Sequence, residues 1–292
     1  MKLNIFSESN DKDLRGIIFI IFSAFFFSIM GCFIKLSSSN LAILEIIFIR
    51  TLLAFGICSL IINKKEFLRT KVLHLHFLRT IFGLSAMFLM FYSISKLPLS
   101  NVAIISFSKI FFIIPLSIFF LKEKINLFSI IYILIGYLGV LIVISFDRDN
   151  ENLYYYSCAL LGAFFIALVK VVIKKISKFD DAIIIQFWFS GLSLLFLLIP
   201  YIFIAKFPTL IDFIYVLLAS LAGLLAQFFT VSGLRVSDAN TVMPFDFSRV
   251  IFSTIIGLFF FGELISFAMI IGASLLVIAG YFLASKSIKK RL

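Results

Sequence analysis

The sequence predicts an all-α polytopic membrane protein whose ten transmembrane helices form two inverted five-helix repeats. Hydrophobic residues fill 62% of the 292 positions and charged residues 14%, far from the near-half apolar, quarter charged balance of soluble domains. The apolar residues are gathered into runs that approach or exceed the roughly 20 residues a helix needs to cross a bilayer. Finally, Phe107–Ile125 returns 140 residues later as Phe247–Ile265. Phe107, Ser108, Phe112, Phe119, Phe120, Glu123 and Ile125 each meet an identical residue, and Lys109 meets Arg249.

Met1–Leu14 is polar and mixed in charge and reads as a disordered stretch within a cytoplasmic tail, 1–15. Gly16–Ile34 is long for a signal-peptide core and another apolar segment follows at once, so it is assigned as the first span rather than a cleaved leader. The next four are Leu41–Ile62, Leu73–Ser95, Leu99–Leu121 and Asn126–Phe146, completing a first repeat over 16–146. A connector, 147–155, leads to Tyr156–Ile173, Ala182–Ile204, Ile211–Leu234, Ala239–Gly262 and Leu264–Ala284, a second repeat over 156–285, and a basic tail, 286–292. The net charge of +11 would suggest an acidic partner or nucleic acid in a soluble protein. Here it is explained by loop asymmetry: a cytoplasmic N-terminus puts seventeen basic tail and loop residues inside and only Lys35, Lys96, Arg148 and Lys206 outside. Both termini are therefore expected in the cytoplasm and the connector in the periplasm. Five crossings per half make the second copy enter the membrane upside down, the arrangement that supports alternating access.

Five basic residues remain within spans. Arg79 and Lys170 lie near cytoplasmic helix ends and are expected to snorkel to the headgroups. Arg50, Lys109 and Arg249 lie within about two residues of their span centres, too deep for easy snorkelling at about 1.5 Å rise per residue. Facing lipid, each would cost about 2.5–3.5 kcal/mol, so they are expected to face an interior or a water-filled cavity. The acidic candidates are Glu45 and Asp246, the latter three residues before Arg249 and on its face. Glu45 and Arg50 are about 140° apart round their helix, so each must reach another helix. Interhelical ion pairing that only holds the bundle together is one reading. A polar site with surplus positive charge, for a carboxylate, phosphate or other anion, is the other. Gln186 and Gln227 are further polar candidates in the seventh and eighth spans. Pro115 and Pro244 mark a hinge or helix break beside the charges.

Cys32, Cys58 and Cys158 read as small core residues, His74 and His76 as solvated or headgroup-facing, and Phe25–Phe27 as a packing or lipid-facing surface. Gly136, Gly139, Gly272 and Gly280 allow close helix approach, within the chain or in a homodimer. There is no nucleotide-cradling glycine loop, zinc-protease motif or nucleophile elbow, so neither a metal nor a cofactor is expected, and no catalytic residue is assigned.

Several ordered motifs resemble the drug/metabolite transporter superfamily, specifically ten-helix members of its EamA group. They are Phe48-Ile49-Arg50-Thr51-Leu52-Leu53-Ala54, Leu78-Arg79, Phe91-Tyr92, Leu97-Pro98-Leu99-Ser100-Asn101-Val102-Ala103, Leu121-Lys122-Glu123, Ile135-Gly136-Tyr137-Leu138-Gly139-Val140, Pro244-Phe245-Asp246-Phe247-Ser248-Arg249 and Phe261-Gly262-Glu263. The resemblance implies solute transport across the bacterial inner membrane through a cavity between the halves, with the fifth and tenth helices at the periphery. Ile110 stands where many members have proline, which displaces the expected kink to Pro115. Relatives have been associated with amino acids, S-adenosylmethionine, riboflavin and drugs. The resulting expectation is a monomeric or homodimeric secondary transporter in contact with lipid, not with nucleic acid, carrying a small carboxylate-bearing metabolite such as an amino acid. Uptake of S-adenosylmethionine or a related cofactor is the alternative. A non-transporting assembly or lipid-modifying protein, the remaining alternative, would have a sealed interior.

Overall fold

A computed structural model describes residues 2–62, 70–121, 128–146, 150–205 and 207–289. Its elements are α1 (Lys2–Ser37), α2 (Ile43–Ile61), α3 (Leu73–Lys96), α4 (Leu99–Phe107), α5 (Lys109–Leu121), α6 (Phe128–Phe146), α7 (Asn150–Ile176), α8 (Ala182–Ile202), α9 (Leu210–Val236), α10 (Ala239–Val242), a 3-10 turn (Met243–Phe247), α11 (Ser248–Phe261) and α12 (Phe267–Lys289). The fourth crossing is α4 with α5, and the ninth is α10, the 3-10 turn and α11, giving the ten crossings expected from the sequence. Eight crossings hold helix long and apolar enough to span a bilayer, and α6 and α12 carry the shorter apolar stretches Leu134–Ser145 and Phe267–Phe282.

Several boundaries differ from the sequence reading. The helix begins at Lys2, so the stretch expected to be disordered instead extends α1. Neither proline nor glycine interrupts it before Gly16, and extending an existing helix is far easier than nucleating one. The second half starts at Asn150 rather than Tyr156, leaving Asp147–Asp149 of the expected connector outside the described residues. Lys64, Lys65, Arg69, Lys122, Glu123 and Lys124, used in the charge count or the repeat, also lie outside them, as do Arg148 and Lys206.

The prominent helix pairings join opposite halves. α1 packs on α9, α2 on α8, α3 on α7, α4 on α11 and α6 on α12. In crossing numbers these pairs are 1 with 8, 2 with 7, 3 with 6, 4 with 9 and 5 with 10. Exchanging the halves converts the first pair into the third and returns the other three to themselves, as a pseudo-two-fold axis requires. The α6–α12 pair closes through small residues: a Cβ on Gly139 would stand 2.8 Å from Gly272 O, and one on Gly272 would stand 2.7 Å from Gly139 O. Without a strong hydrophobic force between helices in lipid, such backbone approach supplies the dispersion contact. These glycines act within the chain.

Candidate functional site

The site is organised by two helix breaks at equivalent repeat positions. α4 ends at Phe107 and α5 begins at Lys109; 140 residues on, the 3-10 turn ends at Phe247 and α11 begins at Ser248. Ser108 Oγ donates to Ile105 O in the first half, and Ser248 Oγ donates to Phe245 O at 2.9 Å in the second. A serine hydroxyl that engages a carbonyl three residues back competes with regular helical bonding. The backbone tightens accordingly, with Ser108 N–H reaching Ile105 O at 3.0 Å. Pro244 opens the 3-10 turn, whereas Pro115 lies exposed inside α5, six residues beyond Lys109. The first-half break is thus at Ser108 and not at Pro115.

Between the halves lies a cavity of about 110 Å³ whose wall includes Arg50, Arg79, Lys109, Lys170 and Arg249. Four of these are at most 4% exposed, and Arg249 is partly buried. Lys109 forms an ion pair with Asp246, which is buried behind it and is not part of the wall. Among the described residues, this is the only ion pair made by any of the five cations. Arg79 and Lys170, expected to snorkel, point inward instead. Position along a helix sets depth, but the helical face decides whether a side chain meets lipid or protein. Arg79 shares its cavity face with Gly83, Met87 and Met90, at spacings of four, eight and eleven.

Aromatic rings replace some of the lost hydration. The Arg79 guanidinium lies 3.6 Å from the centre of the Phe189 ring, Arg50 lies 5.8 Å from Phe91, and Phe27 receives Arg249 at 4.4 Å and Lys170 at 5.3 Å. Phe27 therefore belongs to the site, where the sequence reads Phe25–Phe27 as a packing or lipid-facing surface. Cation–π attraction of this kind is strongest where water is excluded. Lys170 also donates to Thr230 Oγ1 at 3.2 Å, and Arg50 Nη1 meets the Met87 sulfur at 3.1 Å. Donors remain unused: among the described residues, Nε of Arg50 and both Nε and Nη1 of Arg79 have no hydrogen-bond partner, and Gln227 Oε1 is likewise unpartnered. Two glycines 140 residues apart seat the arginines. A Cβ on Gly83 would stand 3.0 Å from Arg79 Nη1, and one on Gly223 would collide with Arg50 Nη2.

Gln227 is in the cavity wall, while Gln186 and Glu45 are buried outside it. Glu45 sits in the first turn of α2, where its carboxylate accepts the Ala42 N–H at 2.9 Å. His76, expected to be solvated, is buried and bonded to Asp180 at 2.8 Å, while His74 is exposed. All three cysteines are buried and free. Among the described residues, no cluster of His, Cys, Asp or Glu has the makings of a metal site. At one end of the bundle Lys35 binds Glu263 at 2.6 Å and Leu97 O at 2.9 Å, and Glu263 accepts the Leu99 N–H. At an equivalent junction in the second half, Lys174 donates to Leu234 O at 2.5 Å and to Ser237 O.

The duplicated architecture is matched by the sequence profile of the EamA-like transporter family, once over residues 14–145 and again over 153–285. The chain belongs to the EamA-like transporter family. It is 24% identical to a Helicobacter pylori protein named as an uncharacterized transporter, covering 96% of this chain and 97% of that one. It is 25% identical to the pseudopaline exporter CntI of Pseudomonas aeruginosa, over 90% of this chain and 94% of the relative. A third relative, the S-adenosylmethionine uptake transporter of Rickettsia bellii, is 25% identical over 75% of each chain. A solved crystal structure superposes with a TM-score of 0.69 at 15% identity, covering 94% of this chain and 98% of the other. That likeness supports the ten-helix fold. The EamA-like chain is accordingly a multi-pass membrane protein of the transporter class.

Proposed function

We propose that this EamA-like protein is a secondary transporter that moves a small carboxylate-bearing metabolite across the bacterial inner membrane by alternating access, with both termini cytoplasmic. The observation that carries this reading is the central cavity, where five cations meet, among the described residues, one carboxylate ion-pair partner. Removing ions from water costs several kcal/mol each unless partners compensate, so a wall with this imbalance favours an anionic occupant. Arg50, Arg79, Lys170 and Arg249 bind the anion. Lys109 and Asp246 set the charge at the joint between the broken helices. Glu45, originally a candidate ligand, supports the start of α2.

The cavity volume of about 110 Å³ is small beside the ~300–1,000 Å³ typical of ligand pockets. A metabolite therefore needs the halves to move apart, and the paired breaks at Ser108 and Ser248 provide places for that motion. A cavity lined by charge also counts against the sealed interior of an assembly protein. S-adenosylmethionine, suggested by the name of one relative, carries a sulfonium cation that like charge in the wall would oppose. Purified protein in liposomes should exchange radiolabelled amino acids or organic acids, and Arg50→Met or Arg249→Met should reduce exchange at least tenfold. Exchange at the wild-type rate in both variants, each correctly inserted, would sink the assignment.

A further inference from the structure

We infer that the ligand of the central cavity carries two anionic groups on an apolar frame, one bound by Arg50 and Arg79 and the other by Lys170 and Arg249. This rests on the reading of the cavity as an anion site and specifies its ligand class. Subtracting Asp246 leaves the five wall cations with a formal surplus of four positive charges. Arg79 lies within electrostatic reach of Arg50, and Lys170 within reach of Lys109, Arg249 and Arg79 as well as of the Asp246 carboxylate. A single carboxylate would satisfy one pair and leave the other facing it uncompensated.

The surplus falls into two groups by origin. Arg50 and Arg79 come from α2 and α3 of the first repeat, whereas Lys170 and Arg249 come from α7 and α11 of the second. Lys109 already has Asp246. The arginine pair is built for an oxyanion. Arg50 and Arg79 are at most 4% exposed, three of their guanidinium nitrogens lack a hydrogen-bond partner among the described residues, and repeat-related Gly223 and Gly83 leave room for them. Buried donors of this kind are rarely left unsatisfied, and a guanidinium fork matches the oxygens of a carboxylate or phosphoryl group. The second pair faces the same cavity, with Arg249 and Lys170 both over the Phe27 ring. The intervening wall is apolar, from Met30, Met87, Met90, Val102 and Ile166, and suits a hydrocarbon or ring bearing the two charges. Such a ligand touches both repeats at once, so its binding is coupled to their relative position.

Thermal-shift titration of the detergent-purified protein tests this with five probes: benzoate, isophthalate, phenyl phosphate, phenylalanine and benzylammonium. Isophthalate should bind at least tenfold more tightly than benzoate, phenyl phosphate or phenylalanine, and benzylammonium should not bind. Phenyl phosphate, which carries its two charges on one group, bound as tightly as isophthalate or more tightly would overturn the two-anion inference. Arg79→Met should cut the dianion preference below threefold while benzoate still binds. Arg79→Lys, which keeps the charge, should retain most of it. Benzoate affinity within threefold of that of isophthalate in the wild-type protein would likewise overturn the two-anion inference and leave the anion site standing. Tightest binding of benzylammonium, or no binding of any anion, would overturn both. The wild-type comparison decides the matter even if an arginine variant fails to fold.

Discussion

The fourth and ninth crossings are built on one plan and charged differently. Both break at a serine whose hydroxyl takes the carbonyl three residues back, and in both a basic residue, Lys109 or Arg249, follows that serine directly. Before the break, however, the first copy is regular helix containing Ser106, while the second is a 3-10 turn containing Asp246 at the matching position. Asp246 reaches across to Lys109 of the other copy, and Ser106 returns no carboxylate to Arg249. The scaffold is duplicated and the charge is not. Symmetry in such a pair serves motion, and asymmetry leaves a net field for the ligand.

The contrast is broken most severely at Lys109. Lys109→Met leaves Asp246 buried without its partner, and removal of one member of a buried pair costs about 3–5 kcal/mol. Chemical unfolding in detergent should show that loss, and Asp246→Asn in the same chain should recover most of it. A double variant no more stable than the single one would mean that the pair is not the source of the cost.

A smaller effect is expected where the repeat-related glycines seat the arginines. Gly223→Ala should destabilise the protein by about 1–3 kcal/mol, as overpacking does, and should weaken anion binding by displacing Arg50. Gly83→Ala, where the added carbon would stand 3.0 Å from Arg79 Nη1 and 2.8 Å from the Phe189 ring, tests whether the second seat is equally strict. Equal anion affinity in both variants and the wild type would remove the glycines from the site.

Ser106→Asp would give the first repeat the carboxylate found in the second. With Arg249 then offered a partner, anion affinity should fall about tenfold, or about 1.4 kcal/mol. Unchanged affinity would show that position 106 does not reach the charges. The smallest stability change is expected for Arg249→Met, within about 1 kcal/mol of wild type, because an apolar residue replaces a charge that has no ion-pair partner. Its transport should nevertheless be lost. A destabilisation as large as that of Lys109→Met would make the two crossings alike after all.

Much of the fold is legible in the apolar runs and the 140-residue repeat, and the deep position of Arg50, Lys109 and Arg249 is legible from span length alone. Arg79 and Lys170 are misread because distance from a helix end was weighed without the helical face. The missing signal is local: Arg79 shares a face with Gly83, Met87 and Met90, and Lys170 follows buried Ala159, Ala163 and Ala167 along α7. The breaks are attributed to prolines, the familiar disruptors, while the paired serines already visible in the repeat carry the equivalent bonds. For Glu45 the sequence shows a carboxylate early in a span, and its bond to the Ala42 N–H is visible only in the structure.

The exchange of helix partners between halves also bears on how the protein is made. α1 ends at Ser37, and its chief partner α9 begins at Leu210, roughly 170 residues later, or about 9–35 s of synthesis at 5–20 residues per second. Throughout that interval the first half is inserted without the surfaces that complete it, and Arg50 lacks the Gly223 seat. The nascent half must be sheltered by lipid headgroups, water or the insertion machinery until the eighth crossing arrives. Expression as two separate halves should therefore yield stable protein only when both are made in the same membrane.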